Sequence, residues 1–218
     1  MDRANDLFAE LQRSSSTLTT TAAASAVASA TGSQLATLQH AGARYVVVFN
    51  LPDLGATPAY LGSTQAAQAT ATSQAYNLQL NQAVSHMGNG IIPVNVYALL
   101  NQVMADPTRY GFSNVTQPSC TTSSSILCSA ATLVSPTASS NYLFADSVHP
   151  TTAAHALLAE AVLSELAAPA QISLLREAPL ASIQAQNQVL SPQLLNDRFG
   201  ASTRALAAVS STDPTSVV

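Results

Sequence analysis

Apolar positions fall into three kinds of pattern along the chain, and each predicts a different element. Leu7, Phe8 and Leu11 recur at helical spacing, and a long Ala/Ser/Thr tract from Ser14 to Thr31 follows without proline, and without glycine before Gly32. The tract suits a low-complexity linker or a closely packed helix; its Ala-rich composition favours helix, which is predicted over residues 5–42 with Gly42 able to take a left-handed cap. The run Tyr45-Val46-Val47-Val48-Phe49-Asn50 is apolar on both faces and predicts a buried parallel strand. After a loop with two prolines, residues 64–87 are mostly helix formers and are broken at Gly88 to Gly90. Residues 91–96 predict a second strand, with Pro93 confining it to an edge or making it a strand start. A short helix over 97–104 closes at Asp106-Pro107.

Residues 111–141 show no periodicity and read as a long irregular loop, longer than an ordinary connection. Beyond Tyr142-Leu143-Phe144-Ala145, Pro150 suits a first helical turn. Ala154, Leu157, Leu158, Ala161, Val162 and Leu166 then continue an apolar face that leaves Glu160 and Glu165 to solvent. From Ala168-Pro169 the pattern turns polar. Residues 170–200 predict a linker or partner-binding helix, and the tail after Ala205 reads as disordered. Strand, helix, strand, helix in this order predicts an α/β layer architecture with parallel strands, whose ligand site lies beyond the carboxyl ends of the strands.

Composition narrows the function. Of 218 residues, 47% are hydrophobic and only 8% charged; all seven basic residues are Arg, and eleven acids leave a net charge of −4. That balance offers no basic patch for phosphates, so nucleic acid is excluded as a partner. No stretch approaches the roughly 20 consecutive apolar residues of a membrane-spanning helix, and residues 1–6 carry no export signal. Cys120 and Cys128, close together in a Ser/Thr-rich segment, read as a surface-loop disulfide and favour an oxidising compartment.

The sharpest chemical signal is Asp146-x-x-His149 before Pro150. A carboxylate three residues before an imidazole in a turn can accept from one ring nitrogen, fix the tautomer and leave the other as a general base; a solvated His in a helix-entry turn is the plainer alternative. His149, His155 and Asp146 match no common metal-ligand spacing, so no metal is expected. Asp53 lines the first loop either as a site residue or as an Asx turn. His40 and His86 are assigned no role, and Tyr60 and Tyr142 stay ambiguous.

The segment Leu143-Phe144-Ala145-Asp146-Ser147-Val148-His149-Pro150-Thr151 resembles the last motif block of GDSL, or SGNH, esterases and lipases. In that family the Asp and His of D-x-x-H-P complete a Ser-His-Asp triad. Residues Gly42 to Gly55 resemble a strand and loop of autotransporter-type members, and Ala168 to Leu180 resembles the segment joining their catalytic passenger to an outer-membrane barrel. Ala4-Asn5-Asp6-Leu7-Phe8 is similar to the G-x-N-D block, with Asn5 in the oxyanion-hole place and Arg3 where Gly is the rule.

The resemblance implies a flavodoxin-like three-layer parallel sheet over residues 1–168, incomplete at its N-terminus, followed by a linker helix and disordered tail over 169–218. It implies a carboxylic ester hydrolase without cofactor, acting on a small ester or lipid, with His149 as base, Asp146 orienting it and Asn5 as oxyanion donor. An outer-membrane β-barrel partner and an extracellular or outer-membrane-associated location follow from the same resemblance. No G-D-S or G-x-S-x-G occurs in the sequence, and Ser147 is not taken as nucleophile because Asp146 already serves the D-x-x-H pattern. The expectation is thus an acid and a base whose serine lies elsewhere, in a fragment that by itself is inactive and poorly stable. The rival expectation is a non-catalytic surface or interaction module descended from such an esterase.

Overall fold

The computed structural model describes residues 3–88 and 90–168. One compact unit runs to Leu166. Of the second, Ala167–Val218, only the first two residues are described, and they end a helix. The expected linker helix, the tail and the barrel-linker resemblance beyond Ala168 therefore lie outside the described residues.

The long N-terminal helix is two helices, α1 (Arg3–Arg13) and α2 (Thr17–His40). The break at Ser14 to Ser16 has a local cause: Ser16 is extended, and its hydroxyl accepts from Thr19 N, so it caps α2 afresh. At the other end Gly42, at φ +96°, permits the paired bonds Gly42 N to Gln39 O and Ala43 N to Leu38 O that close the helix as expected. Thr20, Ala24, Ala28, Gly32 and Leu35 form the buried stripe of α2, which packs on α3 (Ala66–Val84) through Ala69, Tyr76 and Leu80. Leu7 and Leu11 of α1, both fully buried, complete this core.

Strand β1 (Val46–Phe49) pairs in parallel with β2 (Ile91–Val94), Val46 opposite Ile91 and Phe49 opposite Val94. Pro93 is exposed in this two-stranded sheet, where an absent N–H is tolerated. Helix α4 (Val96–Ala105) follows, capped by the Asn95 side chain. The stretch read as irregular is not wholly so. It holds β3 (Asn114–Pro118), 3-10 turns at Ser125–Leu127 and Ala130–Thr132, and the short α5 (Ala138–Asn141). Strand β3 pairs in parallel with β4 (Tyr142–Phe144). Its sequence, Asn-Val-Thr-Gln-Pro, sets two β-formers among Asn, Gln and Pro, so the ladder to β4 more than propensity makes it a strand.

The last described element, α6, covers residues 152–168. Pro150 stands outside it, bridged to Phe144, and Thr151 is the capping residue, its hydroxyl accepting from Ala154 N. A second core, with Leu100, Val103, Phe112, Leu143, Phe144 and Ala154, joins α4, β4 and α6. Glu160 and Glu165 are exposed on α6, as the spacing predicts.

Candidate functional site

Two loops leave the carboxyl ends of strands and are pinned by polar contacts from elsewhere in the fold. In the loop after β1, Asn77 of α3 clasps Leu51: Leu51 N donates to Asn77 Oδ1, and Asn77 Nδ2 donates to Leu51 O, both at 2.8 Å. Leu54 N donates to the Ser73 hydroxyl. Asp53 is buried and accepts from Gly55 N (3.0 Å) and from the Thr70 hydroxyl (2.7 Å), capping the 3-10 turn Leu54–Ala56. Of its two readings, the Asx turn is the one these contacts describe. Helix α3 passes so close that a Cβ at Gly55 would run into Thr70 Oγ1 and the Ala66 carbonyl oxygen.

The second loop, after β4, is closed at its base. Ala145 N donates to His149 O, Thr151 N to Leu143 O, and the Thr151 hydroxyl to Tyr142 O. The tip holds Asp146 and His149. Asp146 Oδ1 accepts from Val148 N (3.0 Å) and His149 N (2.8 Å), a local turn that its own sequence spacing dictates. Oδ2 accepts from Ser125 N at 2.6 Å, across 21 residues of chain. The His149 ring meets the same carboxylate, Nδ1 lying 2.8 Å from Oδ2 and 3.0 Å from Oδ1.

Burial alone would push the Asp146 carboxyl up. The N–H groups of His149, Val148 and Ser125 and the His149 ring outweigh it and hold the acid well below the usual carboxylate range. An ionised carboxylate only accepts, so Nδ1 carries the proton and Nε2 is the nitrogen not engaged by Asp146. The Asp146 side chain is 4% exposed and that of His149 57%, so a buried anion orients a ring that solvent and ligands can reach. His149 lines a cleft of about 520 Å³ together with Ser119, Cys120, Ser125 and His155. On the other face of the turn, Val148 and Pro150 line an apolar cavity of about 110 Å³ with Leu100, Val103, Phe144 and Leu157.

The remaining candidates are placed as follows. Asn5 is exposed in the first turn of α1, and among the described residues no hydrogen bond joins it to Asp146 or His149. Its helix nonetheless reaches the dyad loop in two steps: Phe8 stacks on Tyr60 with centroids 6.1 Å apart, and the neighbouring Ala59 N donates to Ser147 O. Cys120 and Cys128 form a disulfide. Cys120 is buried rather than in a surface loop, because its N–H extends the β3 ladder to Ala145 O. His155 bonds its ring to Thr151 O, its own helix entry, and His40 bonds its ring to Ala36 O within α2. Among the described residues no three His, Cys, Asp or Glu side chains gather as a metal site would need, and no helix is long and apolar enough to cross a membrane. Sequence reasoning missed Ser125, whose contribution is a main-chain N–H that any residue but proline possesses.

Residues 4–162 match the family model for GDSL-like lipase/acylhydrolase. The chain is 35% identical over 177 residues to an uncharacterized protein from the trpE-trpG intergenic region of Pseudomonas putida, covering 76% of this chain and 29% of that protein. It is 35% identical over 159 residues to esterase EstA of Pseudomonas aeruginosa, covering 69% of this chain and 24% of the esterase. Over 98 residues it is 36% identical to lipase 1 of Photorhabdus luminescens, covering 45% of this chain and 15% of the lipase. The chain thus spans less than a third of the length of these relatives. With the match running from α1 through the Asp146 and His149 turn into α6, the chain belongs to the GDSL-like lipase/acylhydrolase family.

Proposed function

We propose that this chain supplies the acid and base of a carboxylic ester hydrolase, His149 as general base and Asp146 as the carboxylate that orients it. The observation that carries the reading is the buried Asp146, held by three main-chain N–H groups and bonded to Nδ1 of a half-exposed His149. Nε2 of His149 takes the proton of a serine hydroxyl as its oxygen attacks the ester carbonyl. The side-chain amide of Asn5 donates to the oxyanion that forms, and the same proton then leaves with the alcohol. Water repeats the sequence on the acyl-serine. Substrates are small esters or lipids.

The nucleophilic serine is assigned to a segment outside these 218 residues, because the family's G-D-S block is absent from the sequence. Packing supports a larger sheet. Parallel strands are normally covered and multiply paired, whereas β1 pairs only with β2 among the described residues and leaves Tyr45 77% and Phe49 45% exposed. Further strands on β1 complete the three-layer sheet in this reading, and without them the 218 residues do not turn over ester. The likeness of residues 168–180 to a passenger-to-barrel linker supports display at the outer membrane.

The test is His149→Ala in the whole protein with its upstream segment. Ester turnover is expected to fall on the order of 10⁵-fold with circular dichroism unchanged. Undiminished turnover would sink the assignment and favour a non-catalytic module.

A further inference from the structure

The third main-chain donor to Asp146 comes from a loop with little else to hold it there. Residues 120–128 are closed by the disulfide, with Cα atoms 5.8 Å apart. The loop's base is tied down. Cys120 N donates to Ala145 O, Thr121 N to Thr132 O and Val134 N to Ser119 O, and Cys120 bridges to Leu133. Its apex is not packed on the core. Ile126 is 90% and Leu127 66% exposed, so no apolar burial fixes the turn that presents Ser125. What fixes it is the cross-link, the bonds inside the turn (Leu127 N to Ser124 O, Cys128 N to Ser125 O, the Thr122 hydroxyl to Ser124 O and Ile126 N to the Ser124 hydroxyl), and the 2.6 Å bond from Ser125 N to Asp146 Oδ2.

We propose that the main-chain N–H of Ser125, held in register by the Cys120–Cys128 disulfide, is the positioning group that fixes the Asp146 carboxylate against His149. The two other main-chain donors, Val148 and His149, both reach Oδ1 from within the turn itself. Without Ser125, Oδ2 keeps only the ring it is meant to orient, and main-chain donors hold the carboxylate through Oδ1 alone. The inference rests on reading Asp146 and His149 as the acid and base, but its first test is independent of ester hydrolysis.

Ser125→Pro breaks this contact. Ser125 is the first residue of a 3-10 turn and follows Ser124 at φ −137°, ψ 136°, a backbone that a following proline tolerates; the proline Cδ takes the place of the N–H that faces Oδ2, so the variant removes the donor and pushes the carboxylate away, while reduction of the disulfide releases the loop without adding an atom there. In the whole protein, the far-downfield proton resonance of His149 Nδ1–H should be present when the disulfide is oxidised. It should persist in Ser125→Ala, which keeps the N–H, and be lost in Ser125→Pro and after reduction with dithiothreitol. An unchanged resonance in the proline variant and the reduced protein overturns the proposal. If either unfolds, amide exchange in the oxidised wild type decides: Ser125 should exchange at least about 100-fold more slowly than exposed Ile126, and equal rates overturn it. Turnover separates this inference from the reading beneath it. Ser125→Pro should lower kcat roughly tenfold with KM held within about twofold, whereas a resonance that responds in a protein without esterase activity leaves the positioning role standing and sinks the hydrolase reading.

Discussion

Asp53 and Asp146 are the two buried aspartates of the described residues, and both sit in loops beyond the carboxyl end of a strand. Each turns its chain by accepting from an N–H two residues on. They differ in what holds the rest of the carboxylate. Asp53 accepts the Thr70 hydroxyl and so ties its loop to α3; the contact ends there. Asp146 accepts a distant main-chain N–H and a titratable ring that is itself half exposed. A buried carboxylate becomes chemically useful when one of its partners can carry a proton to the surface, and an Asx turn by itself is architecture.

The largest effect expected from that contrast is on catalysis. In the whole protein Asp146→Asn should lower kcat for a soluble ester by about 10³- to 10⁴-fold, because an amide no longer enforces the Nδ1–H tautomer. Asp53→Asn should cost less than about tenfold, since its carboxylate serves only a turn. Equal losses measured side by side would erase the distinction.

Acid stability sharpens it. The folded Asp146 carboxyl is held below its unfolded value, so its charge stabilises the fold above about pH 4, and that contribution is lost as pH falls below this through the folded pKa. Urea midpoints between pH 6 and pH 3 should therefore drop further for wild type than for Asp146→Asn. Parallel declines would show that the turn gives the charge no net advantage.

The smallest effect belongs to the Asp53 side. Gly55→Ala forces a methyl against Thr70 Oγ1 and the Ala66 carbonyl, at a cost of about 1–3 kcal/mol in thermal or urea unfolding. The His149 Nδ1–H resonance should not move, although Ala59 N, further along the same loop, donates to Ser147 O. A shift there would mean that strain at Gly55 travels through that bond.

Sequence patterns reveal much of this arrangement where one physical cause dominates. The β-branched runs around Val46–Phe49 and Ile91–Val94 read as strands and pair in parallel, although only Val48 and Val94 of the two are buried among the described residues. The spacing of Asp146 and His149 is local, so the turn that joins them could be read directly. The break at Ser14–Ser16 stayed hidden because serine in an Ala/Thr tract signals both helix and cap. Strand β3 stayed hidden because its residues are made extended by β4, whose sequence lies far along the chain. Pro150 suits a first helical turn by its sequence but stands before the helix, because Thr151, a better cap, follows it. Ser125 could not be found at all, since its side chain takes no part in the contact.

The parallel pairing of β3 with β4 also sets an order of events. Residues 119–141 must be looped out before Asn114 meets Tyr142 and Pro118 meets Phe144, and only then do Cys120 and Ser125 lie beside Ala145 and Asp146. Such closure carries an entropic cost that local turns avoid. The Asp146 and His149 turn can thus form early from its own few residues, while the contact that locks its carboxylate arrives with the long-range ladder. Asp146 and His149 come near each other well before they are aligned, and under the proposed hydrolase reading their alignment is a late event of folding.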